Sequence, residues 1–428
     1  MTIAYVTLGC KLNYAETATY ERGFAEAGFE TVPWSKGADV FLINTCSVTA
    51  TSDSKSRSVI RKLHRIRPDA AIIVTGCYAQ LKREEVAAIE GVSLVFGALE
   101  KTRLVSESLL FLEGNGTGMQ SRKTGTLAEE YKTISSDTLP AYSVGGRTRS
   151  FLKVQDGCNN FCAYCTVPFA RGASRNIPIC SIVRQAQDIA ASGAKEIVLT
   201  GVNTGDFGRS SGESFLDLLK ALNGVEGIER YRISSIEPNL ISEGIVDWIA
   251  GGTKFLPHFH IPLQSGSDEI LKAMGRHYDT EFFKDRIGYI RSRMEGPGKP
   301  KVFFGIDVMV GLPGETDEIF RQSREFIKAV NPAFIHVFPY SRRPGTRADK
   351  MEGQVSEETK AERVKSLEDL CTELHTGFVE SNRGIRERVL WESKEKDGTM
   401  SGYTGNYIRV SRPYDKSLVG RISEVIIQ

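Results

Sequence analysis

Residues 151–165 read FLKVQDGCNNFCAYC, and this stretch decides how the rest of the chain is interpreted. A short apolar run, Phe151–Val154, predicts a strand, and Cys158, Cys162 and Cys165 follow it in the spacing C-x3-C-x2-C. Three thiolates this close on one loop can hold three corners of a [4Fe–4S] cube and leave the fourth iron without a protein ligand. An open iron of this kind is a site for chemistry.

Two simpler interpretations of this loop are a zinc knuckle and a cluster used only for electron transfer. A closed zinc site requires a fourth Cys or His nearby, and the local sequence offers none. We therefore favour a cluster with one open coordination position.

Downstream of the cysteine loop, strand-like runs recur with helical segments between them. Six strand units are too few for a closed eight-stranded barrel, so they predict an open (β/α)6 partial barrel over residues 147–382. The predicted strands are Phe151–Val154, Glu196–Leu199, Tyr231–Ile233, Phe259–Leu263, Phe303–Val310 and Phe334–Pro339.

Upstream, residues 1–113 alternate short apolar runs with helix-like stretches, which predicts an N-terminal open parallel α/β sheet. Cys10, Cys46 and Cys77 each follow the end of one predicted strand, at separations of 36 and 31 residues that fit successive βα units. The carboxyl ends of parallel strands meet at one edge of a sheet. A lone Cys is usually a small buried hydrophobe, but three in this pattern predict a second cluster with three protein ligands.

Two further segments complete the predicted organisation. Residues 114–146 are rich in Gly, Ser, Thr and Lys, which predicts a linker or a mobile insertion. Residues 383–428 hold short strand-like runs between Gly-containing turns, which predicts a small antiparallel β-barrel. This last unit has nine Lys/Arg against six Asp/Glu, with Tyr403, Tyr407 and Tyr414 interleaved with Arg409 and Arg412, as in surfaces that stack on bases and hold phosphates. Burial of about half of these side chains inside the small barrel is the alternative.

The cysteine loop, its position after the first barrel strand and the six following units resemble the radical S-adenosylmethionine (SAM) superfamily. The resemblance implies that the methionyl group of SAM chelates the open iron and that SAM is cleaved to a 5′-deoxyadenosyl radical. It also implies SAM contacts from residues at strand ends, where turn-forming and capping roles remain open as alternatives. These residues are Gly201, Asn203, Ser234, Glu237 and Gln264.

Two three-cysteine clusters joined by a linker, followed by a C-terminal unit similar to a TRAM domain, resemble the methylthiotransferases across nearly the whole chain. The resemblance implies an enzyme with two [4Fe–4S] clusters that uses one SAM as methyl donor and a second as radical source. It further implies tRNA as partner, an electron donor such as flavodoxin or ferredoxin, and a separate source of sulfur.

Local features are similar to the branch that acts on N6-threonylcarbamoyladenosine at position 37 of tRNA. They are TLGCKLN around Cys10 and the segment Phe169–Arg175, in which Ala173 departs from the polar residue usual there. Arg171 and Arg175 are predicted to bind the substrate carboxylate, with SAM or a phosphate as the alternative ligand. Other hypotheses are isopentenyladenosine in tRNA, an aspartate of a ribosomal protein, or an RNA-binding iron–sulfur redox regulator.

Bulk properties agree with a globular, cytoplasmic protein. The 428 residues are 40% hydrophobic with a formal net charge of +2, and no apolar run approaches the roughly 18 residues that a bilayer span needs. Eight cysteines without an export signal indicate a reducing compartment and metal binding rather than disulfides. We predict structural roles for Cys180 and Cys371, and the six histidines show no paired spacing that suggests zinc.

Overall fold

Three of the predicted strands form the centre of a five-stranded parallel sheet in the N-terminal domain. The computed structural model describes residues 1–114, 138–145, 147–209 and 211–428. The strand order is β2-β1-β3-β4-β5. The strands are β1 (Thr2–Thr7), β2 (Glu30–Thr31), β3 (Val40–Thr45), β4 (Ala71–Gly76) and β5 (Val92–Phe96).

Helices cover both faces of this sheet, which explains why β3 is a continuous apolar run. Phe41 and Ile43 lie in one apolar cluster, and Val40 and Leu42 lie in another on the opposite face. A strand buried on both sides needs no polar alternation. The helices are α1 (Lys11–Glu26), α2 (Ala50–Ile66), α3 (Cys77–Leu81), α4 (Arg83–Ala87) and α5 (Leu104–Leu112).

The central domain is the expected partial barrel of six parallel strands. Two three-stranded sheets, in the orders β10-β9-β6 and β11-β12-β13, are joined by a parallel bridge between Ser235 and His260. The strands are β6 (Ser150–Lys153), β9 (Glu196–Thr200), β10 (Arg230–Ile233), β11 (His258–Gln264), β12 (Phe303–Val310) and β13 (Phe334–Pro339).

A pair of two-residue antiparallel strands, β7 (Gln155–Asp156) and β8 (Arg175–Asn176), closes the loop that carries the C-x3-C-x2-C motif. The first helix of this domain, α6 (Val167–Arg171), lies inside the same loop. The remaining helices are α7 (Ile179–Ala191), α8 (Phe215–Asn223), α9 (Glu243–Ala250), α10 (Asp268–Ala273), α11 (Thr280–Met294), α12 (Asp317–Val330) and α13 (Glu357–Glu380).

Alternation along the barrel strands separates an outer core from an inner lumen. Ile306 and Val308 of β12 belong to the core shared with the outer helices. Because successive side chains of a strand point to opposite faces, Asp307 and Met309 face the lumen.

The C-terminal segment forms a four-stranded antiparallel sheet in the order β16-β15-β14-β17. Its own small core includes Val389, Trp391 and Met400. Arg230 and Arg232 of β10 fasten it to the barrel, donating to backbone oxygens of residues 388 and 403–405. The strands are β14 (Arg386–Lys396), β15 (Thr399–Tyr403), β16 (Arg409–Pro413) and β17 (Ile422–Ile426).

Most of the predicted linker, residues 115–137, lies outside the described residues. At its end, Ala141 is buried and Tyr142 forms an antiparallel bridge to Leu152 of β6, so these two residues pack against the barrel. In the described part of the chain, no helix combines the length and apolar character needed to cross a bilayer.

Candidate active site with two cysteine triads

Cys10, Cys46 and Cys77, here called the N-terminal triad, sit at the carboxyl ends of adjacent strands. Cys10 caps the start of α1 just after β1, Cys46 follows β3, and Cys77 begins α3 directly after β4. Strands β1, β3 and β4 are direct neighbours in the sheet. The parallel topology therefore brings three distant positions in the sequence to one edge.

Two residues hold this edge together. Asn13 donates to the carbonyl oxygens of Leu8 and Thr45 at 2.9 and 3.0 Å, and its Oδ1 lies 3.7 Å from the Cys10 sulfur. Gly76 has a φ of +100°, and a Cβ there would lie 2.3 Å from the Thr45 carbonyl oxygen. Only glycine permits this close approach of β4 to β3 immediately before Cys77.

Cys158, Cys162 and Cys165, the barrel triad, lie on a loop held by backbone hydrogen bonds. The Cys158 amide donates to the Gly172 carbonyl at 3.1 Å, and the Cys165 amide donates to the Cys162 carbonyl at 3.0 Å. The Ala163 amide donates to the carbonyl of Met274 at 2.9 Å. The loop conformation is thus set by the protein backbone.

The chemistry of the thiols fits iron–sulfur ligation. Burial raises the pKa of Cys158 and of Cys165 to about 12, with nearby Cys162 contributing in the same direction. Burial followed by the charge of Cys77 raises the pKa of Cys46 to about 11. Crowded thiols that resist ionisation lose their protons when a positive metal centre binds them.

The spacing of the sulfur atoms argues against a single ion in either triad. We compared the metal-ligating atoms of His, Cys, Asp and Glu side chains among the described residues. The one group of three that lies within 4.8 Å of one another comes from His260, Asp307 and His336. In each triad at least two of the sulfurs therefore lie more than 4.8 Å apart, which is wider than the spacing of ligands around one zinc ion.

The five residues expected to contact SAM lie at the carboxyl ends of β9, β10 and β11. Asn203 Oδ1 accepts a hydrogen bond from the amide of Glu237 at 3.3 Å. The Ser234 hydroxyl is buried without a hydrogen-bond partner in the described chain, so it is open to a ligand group. Gln264 has a φ of +70° beside a β-bulge at the end of β11. At Gly201 a Cβ would lie 2.9 Å from Gln155 Oε1.

Glu237 links this edge to the barrel triad through Arg276, a residue that the sequence did not point to. Its carboxylate accepts from Asn160 Nδ2 at 2.9 Å and from Arg276 Nη2 at 2.6 Å. Arg276 also donates from Nη1 to the Cys162 sulfur at 3.0 Å. Arg276 is 114 residues from Cys162 and belongs to no recognisable motif, so no local signal identifies it.

Arg171 and Arg175 are both buried, and the contacts that the structure gives them are with protein groups. Arg171 binds Glu16 Oε1 at 3.2 Å, Asp156 Oδ1 at 2.9 Å and Asn13 Oδ1 at 2.6 Å. Arg175 Nη1 donates to the carbonyls of Arg171 and Ala173. Substrate binding by these arginines stays a prediction. The contacts of Arg171 with Glu16 and Asn13 favour a role for that residue in joining the two domains, whereas Arg175 contacts only the cysteine loop and Asp156 of its own domain.

The same contacts link the two triads. Arg171, six residues after Cys165, interacts electrostatically with Cys77 and Cys10. On another side, Arg343 follows β13 and binds Ser47 and Asp53 at 2.8 Å each, next to Cys46. The edge that carries the N-terminal triad is therefore docked onto the barrel from two directions.

The two remaining cysteines match neither triad. Cys371 is buried, and its sulfur accepts a hydrogen bond from the Ile335 amide at 3.2 Å. Cys180 is exposed at the start of α7.

Comparisons with known proteins agree with this arrangement. Residues 2–97 match the uncharacterized protein family UPF0004, and residues 152–327 match the radical SAM superfamily. The chain is 39% identical over 434 residues to threonylcarbamoyladenosine tRNA methylthiotransferase MtaB of Bacillus subtilis (strain 168), covering 100% of this chain and 93% of that protein. It is 36% identical over 431 residues to the protein of the same name from Aquifex aeolicus (strain VF5), covering 100% of both.

A solved structure shares the fold. The radical S-adenosylmethionine methyltransferase TsrM from Kitasatospora setae, with tryptophan substrate and a SAM analogue bound, superimposes with a TM-score of 0.60. It is 15% identical, and the match covers 92% of this chain and 79% of that one. At this identity the likeness concerns the fold alone.

Proposed function

The chain belongs to the threonylcarbamoyladenosine branch of the radical SAM tRNA methylthiotransferases, and we propose that it converts N6-threonylcarbamoyladenosine at position 37 of tRNA to its 2-methylthio derivative. The observation that carries this proposal is the pair of cysteine triads at the edges of two docked domains. Each triad offers three thiols, which leaves one iron of a [4Fe–4S] cube free for another ligand.

Cys158, Cys162 and Cys165 would hold a cluster that would supply the electron for reductive cleavage of SAM, and Cys10, Cys46 and Cys77 would hold one that would carry the sulfur to be transferred. One SAM serves as methyl donor and another as radical source. An external reductant such as flavodoxin or ferredoxin, a separate sulfur source and a cytoplasmic location with the tRNA belong to the same proposal.

The chain itself supplies placement. Glu237 is fixed by Asn160 and Arg276 beside the barrel triad, which orients its carboxylate before any ligand arrives. The buried Ser234 hydroxyl offers a hydrogen-bonding group to the polar part of SAM. The absence of a side chain at Gly201 lets the end of β9 pack closely against Gln155. We assign SAM binding to these residues together with Asn203 and Gln264.

Mass spectrometry of tRNA nucleosides tests the proposal. The chain would be expressed in a bacterium that lacks its own methylthiotransferases but makes both threonylcarbamoyl- and isopentenyladenosine. We expect the methylthio mark on threonylcarbamoyladenosine only, and its loss when Cys158 or Cys77 is changed to Ala. A methylthio mark on isopentenyladenosine instead, or an unmodified tRNA pool, would contradict the assignment.

A further inference from the structure

Three neighbouring barrel strands place a polar cluster inside the lumen. His260 of β11, Asp307 of β12 and His336 of β13 have ligand atoms that all lie within 4.8 Å of one another. The His260 Nε2 and Asp307 Oδ1 atoms are 2.7 Å apart, and Asp307 pairs in register with His336. Apolar neighbours along these strands belong to the outer core, so the cluster faces inward.

Lys11 brings a positive charge to this cluster from the N-terminal domain. It is the first residue of α1, directly after Cys10. Its ammonium group interacts electrostatically with Asp307, Arg232 and Tyr407. The imidazole of His336 also interacts electrostatically with Lys11. The Lys11 side chain therefore extends from the N-terminal triad towards the polar cluster, which forms part of the wall of the barrel lumen.

Two other cationic side chains near Lys11, Arg232 and Arg149, already have hydrogen-bonding partners within the protein. Arg232 binds Glu196 Oε1 at 2.8 Å and the Thr404 carbonyl at 2.7 Å. Arg149 binds Glu392 at 3.1 Å and the Tyr407 hydroxyl at 2.9 Å. In the part of the chain that the structure describes, no acidic side chain lies within 4.0 Å of the Lys11 ammonium group, although the side chain is exposed.

We propose that Lys11 binds the carboxylate of the substrate's threonylcarbamoyl group, with the wall of His260, Asp307 and His336 facing the polar remainder of that group. This inference rests on the proposed function. A threonylcarbamoyl substituent carries a carboxylate, a hydroxyl and two ureido N–H groups, and the wall offers both hydrogen-bond donors and acceptors. Asp307 is engaged by His260, which limits its competition for the ammonium group.

The position of Lys11 also suits the reaction. The modified carbon 2 and carbon 6, whose exocyclic amino nitrogen carries the substituent, belong to the same six-membered ring of adenine. A base with its carbon 2 near the N-terminal triad therefore has its substituent close to that triad as well, where Lys11 follows Cys10. An isopentenyl group would leave the charged and polar lumen groups without partners, which disfavours that substrate.

The test uses the reconstituted holoenzyme under anaerobic conditions with two anticodon stem-loop RNAs. One carries threonylcarbamoyladenosine, and the other carries its carboxyl methyl ester, which lacks the negative charge. The variants are Lys11→Gln and Lys11→Arg. Lys62→Gln is the matched control, because Lys62 is an exposed lysine of the same domain that lies over the Trp34 ring.

We expect Lys11→Gln to raise KM for the charged RNA by on the order of tenfold or more, the loss typical of one charge-assisted hydrogen bond. Lys11→Arg should recover most of this loss, and the control should match the wild type. With the methyl ester, the wild type and Lys11→Gln should have the same, raised KM. Iron content checks that each variant retains both clusters.

An unchanged KM in Lys11→Gln overturns the inference, and so does an equal loss on both RNAs, which would assign Lys11 to a phosphate. If the wild type fails to methylthiolate the charged RNA while cleaving SAM, the proposed function itself is wrong. The two failures are therefore distinguishable.

Discussion

Arg276 connects the barrel triad to the residues expected to bind SAM. It donates to the Cys162 sulfur at 3.0 Å and to Glu237 Oε1 at 2.6 Å. A hydrogen bond to a cluster thiolate withdraws electron density from the iron, which raises the reduction potential of the cluster. Arg276 is thus placed to raise the reduction potential of a cluster held by the barrel triad, next to Glu237.

We expect Arg276→Gln to shift the midpoint potential of the barrel cluster to more negative values, because a cationic donor to the sulfur is lost. The measurement is a redox titration followed by electron paramagnetic resonance. Arg293→Gln, which removes an exposed ion pair with Asp247, is the control. A midpoint potential equal to that of the wild type would show that the contact has no electronic role.

Glu16 is the centre of a buried ionic network between the two domains. Its carboxylate lies 2.9 Å from both Lys101 and Lys153 and 3.2 Å from Arg171, and none of these side chains is more than 6% exposed. Burial alone would favour the neutral acid. The three cations outweigh burial and lower the pKa of Glu16 below its usual range.

Glu16→Gln should reduce the free energy of unfolding at pH 7 by about 3 kcal/mol or more, because it takes the acidic partner from the buried Lys101 and leaves Lys153 and Arg171 with Asp156 alone. A lowered pKa in the folded state means that the stabilisation is complete above the unfolded pKa of about 4.3 and is lost as the pH falls through the folded pKa. The difference between variant and wild type should therefore shrink on acidification. Urea unfolding at pH 7 and at lower pH measures the loss of stability and its pH dependence, with Gln in place of the exposed Glu26 as the control. Equal urea midpoints for Glu16→Gln and the wild type at pH 7 would refute the stabilising role of Glu16.

At the residue scale, local motifs pointed to the candidate cluster ligands but not to the residues that contact them. The six cysteines stand out because spacing and strand ends are visible along the chain. Arg171 was also singled out, but its partner Glu16 is 155 residues away, and no local pattern indicates that pairing. His260 and His336 lack a paired spacing in the sequence, yet the strands on either side of β12 bring their rings to 5.2 Å. Contacts of this kind depend on strand register, which the sequence alone does not define.

Among the elements, the barrel strands were predicted closely because apolar runs bounded by polar segments are strong signals. Predicted Phe303–Val310 and Phe334–Pro339 coincide with β12 and β13. The two-residue strands β7 and β8 were not predicted, since they are too short to show periodicity. They matter nonetheless, because their pairing closes the loop of the barrel triad.

Two tyrosines of the C-terminal unit, Tyr403 and Tyr407, pack at its junction with the barrel, and base stacking by this unit stays a prediction. Tyr407 packs against the rings of His258 and Phe303, at centroid distances of 4.9 and 5.6 Å, and Tyr403 stacks on Tyr407. Tyr407 therefore serves the junction with the barrel. The exposed Arg409 of β16 remains available to nucleic acid.

We expect Arg409→Gln to weaken tRNA binding and to reduce the slope of log K against log salt by about 1, as for the loss of one phosphate contact. Filter binding at several salt concentrations measures the slope. Arg321→Gln on α12, an exposed arginine of the barrel, is the control. Equal slopes for both variants and the wild type would place the tRNA surface elsewhere.

At the scale of the whole molecule, the docking of two α/β domains creates the site. Each domain carries its triad at the carboxyl edge of a parallel sheet, and contacts of Arg171 and Arg343 hold those edges together. Family membership and the order of the domains could be anticipated from the motifs. The buried network that orients one domain on the other could not, because its members are dispersed over the chain.

The central claim is that this chain holds two separate clusters on two triads. Iron quantification with Mössbauer spectroscopy on anaerobically prepared protein tests it most directly, using the wild type and two triple Cys→Ala variants, one for each triad. We predict about eight iron atoms per wild-type chain and about four in each variant, all in [4Fe–4S] form. About four in the wild type, or an undiminished iron content after removal of the N-terminal triad, would contradict the account.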